Sequence, residues 1–472
     1  MRTKLAILVL TLLPQLAFAQ RGPASLPASQ AIPRATLDQM YRRELGNLYR
    51  AADAEKLYRA NQLLETYFAS PSNRKQTIQA IEALQLDPNI VGRITRIRMD
   101  WPALAPGVYY INERLGPHDV RYFLGVPAGY DRTKSWPLVI KLPTADAFVT
   151  DPRPDAEQAN QIYISWMTQE LKAHPDAVLV MPLLNLDELW GPSYAGMNSV
   201  IQPMLHVAKR CNIDPTRVYM IGHAMSAHAT WNLALHYTTY FAAFEALAGG
   251  ASADWQRTRI MNLRNVLPVV WHDANDEQIK VDSSRQLVQL LRGLKIDVDY
   301  VETRNVEHVP TDAIAEERYK KMRGRTRNLY PKQVSLQSNR PDTMFNRNDW
   351  VQIYQPMNPG QEQRLIFRGS GGAMMVYPAA YSVDATISNN TIAVTSRNVE
   401  SVRFYVNDQM IDFARAVSVT FNRVPRFEKI LTPGVEEMLK DQLFLGRGWR
   451  YYTAVIDIDL TDRPRASTRG AR

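Results

Sequence analysis

The sequence predicts an α/β protein with a helical segment in front and a β module behind, and three observations predict it. Between residues 100 and 325, short apolar strands alternate with amphipathic helices, the pattern of a parallel sheet covered on both faces. From Thr36 to about Arg98, apolar residues recur at helical spacing. Beyond about Gly324 the helical spacing fades and short alternating runs take over, the mark of an all-β module, most simply a sandwich. The reading divides the chain into a leader (1–19), a linker and helical segment (20–99), the α/β domain (100–325), a sandwich-like domain (326–460) and a basic tail (461–472). A chain of 472 residues with 45% apolar content has room for such a plan and for a large core. No internal repeat is found.

The leader carries Arg2 and Lys4, an apolar run from Leu5 to Leu16, and Ala17-Phe18-Ala19 as a small-x-small cleavage site. That is a secretory signal peptide cut after about Ala19, so the chain is expected to be exported, periplasmic or secreted. Its apolar run is shorter than the roughly 20 residues a membrane span needs, and no stable membrane anchor is expected. Cys211 is the only cysteine, which excludes an internal disulfide and suits a small core residue. The formal charge of +9 is largely terminal. Losing Arg2 and Lys4 with the leader, and setting aside the +3 of the tail (Arg463, Arg465, Arg469 and Arg472 against Asp462), leaves +4 on the body. Such a balance is not a nucleic-acid footprint, which needs a clustered basic face, and no nucleic-acid partner is expected.

The elements follow in order. Residues 20 to about 34 are rich in Pro, Ala, Ser and Gln and read as linker. Leu37, Met40, Tyr41, Leu45, Leu48 and Tyr49 form one helical stripe, Leu57, Leu63, Leu64 and Tyr67 another, and Ile78, Ile81 and Leu84 resume after the break Ser70-Pro71-Ser72-Asn73. No heptad is sustained, so a small helical cap or prodomain is expected. Val108–Ile111 and Val120–Leu124 predict an antiparallel pair around Gly116-Pro117. Strands then follow at Pro137–Leu142, Ala177–Pro182, Arg217–Ile221, Phe244–Ala248, Val266–Trp271 and Val298–Thr303. Helices are expected at Ala156–Lys172, Asn198–Cys211, Ser283–Leu294 and Asp312–Met322, and another directly after the strand ending at Ile221. In the β module, strands are expected at Arg364–Arg368, Val383–Ile387, Thr391–Thr395, Ser401–Val406, Val417–Phe421 and Ala454–Leu460.

The strand Arg217–Ile221 runs straight into Gly222-His223-Ala224-Met225-Ser226 and a helix. This is the setting of a nucleophile elbow, normally G-x-S-x-G, where a serine sits on a sharp turn above the sheet. Ala224 stands where the serine belongs, and a methyl group cannot attack a carbonyl. Ser226 lies two residues on, roughly 200° around the helix axis, so its hydroxyl is expected to face away from a histidine reaching the elbow. A small residue is wanted there for close packing. His223 and His228 flank the turn five residues apart, a poor spacing for a helical metal pair; with no third ligand evident, no metal site is expected.

In this chain order an acid and then a histidine should follow. The strand ending at Trp271 leads into His272-Asp273-Ala274-Asn275-Asp276, and Asp276 is the candidate acid, with Asp273 and Glu277 as rivals. His308, on the loop after Val298–Thr303, is the candidate histidine. For the oxyanion, the N–H of Met225 survives whatever side chain occupies 224, and the second donor would come from Thr144 or Ala145, after Pro143. The segment Leu183–Asn198, with Asp187, Glu188, Trp190, Tyr194 and Asn198, lies where open α/β sheets bind ligands. Trp190, Tyr194, His223 and Ser226 are the candidate pocket residues.

The run Gly222-His223-Ala224-Met225-Ser226-Ala227-His228-Ala229-Thr230-Trp231-Asn232-Leu233-Ala234 resembles the elbow and following helix of exported bacterial α/β-hydrolases of the esterase and prolyl-oligopeptidase-like group. Asp214–Tyr219, Pro268–His272 with Asp276, and the C-terminal module are similar to the same group. The resemblance implies an α/β-hydrolase fold and hydrolysis of a small-molecule ester or a peptide through a serine acyl-enzyme, without cofactor. The departures at Ala224, Ser226, Pro143 and Thr144 imply a catalytically impaired or inactive member, a pseudoenzyme that keeps a binding pocket. The alternative is an active ester or peptide hydrolase using His308 and Asp276 with water or Ser226. An engineered serine-to-alanine knockout is a third reading, disfavoured by the leader still present.

Overall fold

The computed structural model describes residues 27–115, 118–143, 156–183, 194–250, 254–342, 345–366 and 373–461. The leader, residues 20–26 of the linker, the turn Gly116-Pro117, Thr144, Ala145, Asp187, Glu188, Trp190, the loop Gly369–Gly372 and the tail from Asp462 lie outside the described residues.

The helical segment folds as α1 (Arg34–Leu45), α2 (Ala54–Ala69), α3 (Arg74–Glu82) and α4 (Pro88–Ile94), tied at its ends by β1 (Ser29–Ala31) paired antiparallel to β2 (Asp100–Pro102). The apolar stripes are its core: Leu37, Met40, Tyr41, Leu45, Leu57, Leu64, Tyr67, Ile78 and Ile81 are buried together. Leu48, placed on the first stripe by spacing, is exposed, because the chain tightens into a 3-10 turn at Gly46–Leu48 and loses the helical phase. The start of α4 is set locally. The Asp87 carboxylate accepts the N–H of Asn89, and Pro88 occupies the first helical position.

Eight strands form the central sheet: β3 (Gly107–Leu115), β4 (His118–Val126), β5 (Trp136–Lys141), β6 (Val178–Pro182), β7 (Ile213–His223), β8 (Ala243–Leu247), β9 (Leu267–Asp273) and β10 (Asp299–Thr303). Their spatial order is β3-β4-β6-β5-β7-β8-β9-β10. Only β4 runs antiparallel to its neighbours; the rest of the sheet from β6 to β10 is parallel. Helices α5 (Ala156–Ala173) and α10 (Asp312–Arg323) contribute to the core of one face. Helices α6 (Tyr194–Arg210), α7 (Met225–His236) and α9 (Asp282–Gly293) contribute to that of the other, and short α8 (Asp254–Thr258) precedes β9. This is the α/β-hydrolase fold, with the elbow between β7 and α7. The apolar five-residue strands β6 and β8 are buried on both faces, as parallel strands under two helical layers must be.

The C-terminal module holds two sheets. One has the order β11-β16-β17-β19-β20, from β11 (Gln333–Ser338), β16 (Tyr381–Ser388), β17 (Thr391–Arg397), β19 (Val417–Phe421) and β20 (Val424–Lys429). The other is β12-β13-β18-β21, from β12 (Arg347–Asn348), β13 (Val351–Pro356), β18 (Val399–Val406) and β21 (Ala454–Asp459). A hairpin of β14 (Gln363–Ile366) and β15 (Ala373–Val376) stands apart. Val334, Leu336, Val383, Ala385, Ile353, Val402 and Phe404 bury the facing sides of the two sheets in one core.

One helix, α11 (Val435–Leu445), interrupts the module that spacing alone read as all-β. It gives the N-terminal helices their partner: Val435, Met438 and Leu439 pack into the cluster of Leu37, Leu57 and Tyr67. The two ends of the chain are therefore joined through α11. Arg447 reinforces the joint by pairing with Glu65 and donating to the carbonyls of Thr95 (3.0 Å) and Ile97 (3.1 Å). The α/β domain and the module are linked by charge as well. Arg327, fully buried, grips Asp349 at 2.7 and 2.8 Å while donating to the Phe241 carbonyl.

Candidate active site

The elbow is a packing problem before it is a chemical one. Strand β7 must reverse into α7 within one residue, and Ala224 takes the reversal at φ 55°, ψ −119°. A residue with a Cβ pays for positive φ, typically about 1–3 kcal/mol. Three bonds hold it there. The Ala224 N–H donates to the Leu247 carbonyl at 2.9 Å, and its carbonyl accepts from the N–H groups of Ala227 (3.0 Å) and His228 (3.3 Å). Gly222 is demanded by the same turn: a Cβ there would lie 2.3 Å from the Ser226 carbonyl oxygen. Met225 begins α7, so its N–H belongs to the first turn, which has no intrahelical acceptor.

The acid and histidine loops leave neighbouring strands at the same sheet edge. Ala274 N–H donates to the Thr303 carbonyl just past the ends of β9 and β10. His308 Nδ1 donates to Asp276 Oδ2 at 2.8 Å. A carboxylate only accepts, so the proton sits on Nδ1 and leaves Nε2 as the basic nitrogen. Asp276 is 3% exposed, and its other oxygen accepts the N–H groups of Gln278 (2.8 Å) and Ile279 (3.0 Å). Burial pushes this carboxyl up, but the Ile279 N–H, the His308 ring and the Gln278 N–H outweigh it, and the group lies below its ordinary value. It is a fixed anion at neutral pH.

The rival acids sit elsewhere. Asp273 is buried and organises the loop, accepting from Asn275 N–H (2.8 Å), Thr303 Oγ1 (2.8 Å) and Val306 N–H (3.0 Å). Glu277 is exposed. A residue without an assigned role joins the pair: His272 Nε2 donates to the Ile279 carbonyl at 2.8 Å and stands 3.3 Å from Asp276 Oδ2. Burial holds its imidazole below the ordinary value despite those partners. The signal was present in the run His272–Asp276, whose first residue braces the loop that its last residue occupies.

Ser226 is fully buried and its hydroxyl donates to the Pro143 carbonyl. It faces into the fold, as its angular offset from the elbow predicts. His223 Nε2 donates to the backbone carbonyl of His308 at 2.9 Å, and the two rings lie 4.9 Å apart between centroids. The elbow residue's immediate neighbour thus touches the histidine loop across 85 residues of sequence. His228 Nδ1 donates to the Gly250 carbonyl, so the two histidines flanking the elbow are each tied to a separate backbone segment. Of the remaining candidate residues, Tyr194 opens α6, Asn198 is buried on the same helix, and Thr144 and Trp190 lie outside the described residues.

No protein family model matches the chain. No curated protein matches it either. Among solved structures it is similar to a thermostable esterase, at 20% identity and a TM-score of 0.38, over 47% of this chain and 63% of that one. It is similar also to esterase 2 of Thermogutta terrifontis (11% identity, TM-score 0.32, 47% of this chain and 92% of that one). A third is an alpha/beta hydrolase from a Medee basin deep-sea metagenome library (13%, 0.31, 43% and 84%). The chain thus spans less than two thirds of the thermostable esterase it matches. The reading of the site rests on its own geometry.

That geometry can orient an imidazole, keep its Nε2 basic and stabilise the imidazolium that protonation would create. At position 224 it offers a methyl group to an incoming carbonyl. A base and its anion are in place at the sheet edge of a turn whose residue 224 carries no acidic proton on its side chain for them to take, and whose Ser226 hydroxyl is turned to the Pro143 carbonyl.

Proposed function

We propose that this chain is an exported α/β-hydrolase-fold protein whose ester- or peptide-hydrolase site has lost its nucleophile, and that it acts by binding. The observation that carries the proposal is Ala224 at φ 55°, ψ −119°: the strained backbone of an elbow is retained without the side chain that strain serves to present. The Ser226 hydroxyl, engaged by the Pro143 carbonyl, supports the absence of a surrogate nucleophile. The ligand is a small ester-like molecule or a peptide, held where the substrate of such a site would lie. Export rests on the leader, with the mature chain starting after about Ala19.

One observation favours a second reading, in which residual hydrolysis proceeds by activated water. The His308–Asp276 pair is intact, and an imidazole so held can take a proton from water as readily as from serine. The experiment that separates the two uses the purified mature chain. The binding reading expects no fluorophosphonate adduct and no burst on activated aryl esters. Steady turnover that His308→Ala abolishes would establish the water reading. Fluorophosphonate attachment at Ser226 would overturn both.

A further inference from the structure

Behind the elbow, between the sheet and the pair α5 and α10, lies a cavity of about 620 Å³ that the hydrolase reading leaves without a role. That size falls within the usual range for small-molecule sites, about 300–1,000 Å³. Gly222 and His223 form part of its wall, so it reaches the underside of the elbow. Its apolar surface comes from Leu142, Met181, Ile221, Leu247, Trp166 and Tyr319.

Among its polar groups, Glu245 is the one buried with an oxygen left over. This glutamate sits mid-strand in β8, between Phe244 and Ala246, and is 2% exposed. Its Oε2 has no hydrogen-bond partner among the described residues. A buried, unpaired carboxyl oxygen is costly and calls for a partner that the described residues do not supply.

The charges around the cavity select that partner. Lys141 from β5 is committed to Glu170 of α5, and His174 of the same helix stands 3.6 Å from the other Glu170 oxygen. Burial holds the His174 imidazole below its ordinary value. From α10, Asp312 and Glu316 add acid at the wall, and Glu316 is paired at 3.1 Å with Lys320. Arg318 of α10 is spent on Asp299 of β10 and on Glu317. His223, from β7, donates to the His308 carbonyl. The cations near Glu245 are therefore already engaged, and the unsatisfied group is an acid in a wall of mixed polarity.

We propose that this cavity is a binding site for a small organic ammonium, an amine-bearing molecule whose cationic end meets Glu245 and whose apolar body lies along Trp166 and Tyr319. Trp166 and Tyr319 line the cavity with ring carbon against which a hydrocarbon chain can pack, Tyr319 being held by its stack on His174 at 3.6 Å between centroids. The site is independent of whether position 224 ever attacks a substrate.

Proton linkage gives the binding a signature. Burial pushes the Glu245 carboxyl up to about 8, with Lys141 and Arg318 pulling it back only in part. At pH 7 the group is mostly protonated. An ammonium arriving beside it favours the carboxylate, so the proton leaves to the buffer.

The test is calorimetric titration of the full mature chain with n-hexylammonium, in two buffers of different ionisation enthalpy, against hexanoate and 1-hexanol. The expected result is saturable binding of the amine alone. Close to one proton should be released per ligand at pH 7, and little at pH 9, where Glu245 is already ionised and the alkylammonium still charged. Glu245→Gln should weaken binding roughly tenfold or more and abolish the release. If that variant does not fold, the proton count on the unaltered chain decides. Absence of amine binding, equal binding of hexanoate, amine binding without proton release at pH 7, or a folded Glu245→Gln that binds as before would each overturn the proposal.

Discussion

The elbow and the acid–histidine loops face each other across one sheet edge and differ in what they have kept. The loops keep both structure and chemistry: the Asp276 carboxylate is saturated by two backbone N–H groups and the His308 ring. The elbow keeps structure alone. Gly222 is still required by the Ser226 backbone, and Ala224 still bears a positive φ. The difference means that the turn's backbone is demanded by the strand-to-helix connection itself, whatever side chain position 224 carries.

The comparison can be broken most forcefully by putting the atom back. Ala224→Ser adds one hydroxyl at a backbone already shaped to present it, on the turn whose His223 ring lies 4.9 Å from that of His308. Loss of the nucleophile alone costs a serine protease about 10⁶-fold in turnover. If the second oxyanion donor is lost at Pro143-Thr144, as the sequence leads one to expect, recovery should be smaller, about 10²–10⁴-fold over the parent on aryl esters. Fluorophosphonate labelling at 224 checks the attachment and initial rates check the turnover. A folded Ala224→Ser chain that neither labels nor hydrolyses would show that the loops' apparent integrity is not catalytic competence.

The next test concerns the turn. Gly222→Ala places a methyl 2.3 Å from the Ser226 oxygen and 2.5 Å from its carbonyl carbon, both backbone atoms with no flexible end to yield. Overpacking against backbone should cost about 3 kcal/mol or more, measured by urea unfolding. A loss under about 0.5 kcal/mol, the scale of a surface change, would mean that the turn is not structurally required after all.

A smaller effect separates the loops from their surroundings. Because the Asp276 pKa is depressed in the folded chain, its stabilisation is fully present above the ordinary carboxylate value. It is lost as pH falls through that value toward the folded one. The urea midpoint of Asp276→Asn should therefore lie below the parent's at pH 6–7, and the gap should close as pH drops below about 4. The exposed neighbour Glu277→Gln should show no such gap. An Asp276→Asn deficit as large at pH 3 as at pH 7 would mean that shape, not charge, is what the pair contributes.

What was legible in the sequence follows from where the signals lie. Ala224, Asp276 and His308 each sit just past an apolar strand, and strand ends are where a parallel sheet collects its loops, so the chain order made the His308–Asp276 bond and the sharp turn at 224 legible. The exposure of Leu48 was hidden because helical spacing continues through Gly46 although the helix does not. Helix α11 was readable: Val435, Met438, Leu439 and Gln442 are buried at helical spacing, after Gly434 and before Gly446. The surrounding alternation obscured it. The contact between His223 and His308 was not readable at all, since it depends on the curvature of two loops across 85 residues. Glu245 leaves no mark in the sequence, because one glutamate in a five-residue apolar strand does not disturb the strand pattern, and only the cavity beside it shows what it lacks.

The finest test asks whether the elbow's strain is now without a use. Ala224→Gly removes the Cβ that makes φ 55° costly and leaves every backbone bond of the turn in place. The strain released is about 1–3 kcal/mol. Glycine's greater freedom in the unfolded chain takes back about 0.5–1 kcal/mol. A net gain of roughly 1 kcal/mol is expected, read as a higher urea midpoint at unchanged slope. An active serine enzyme could not accept glycine there, because its side chain is its chemistry. In this chain the substitution should stabilise the fold and leave ligand binding unaltered. If Ala224→Gly instead weakens binding while stabilising the fold, the methyl group is in contact with the ligand, and the elbow has been reassigned to recognition.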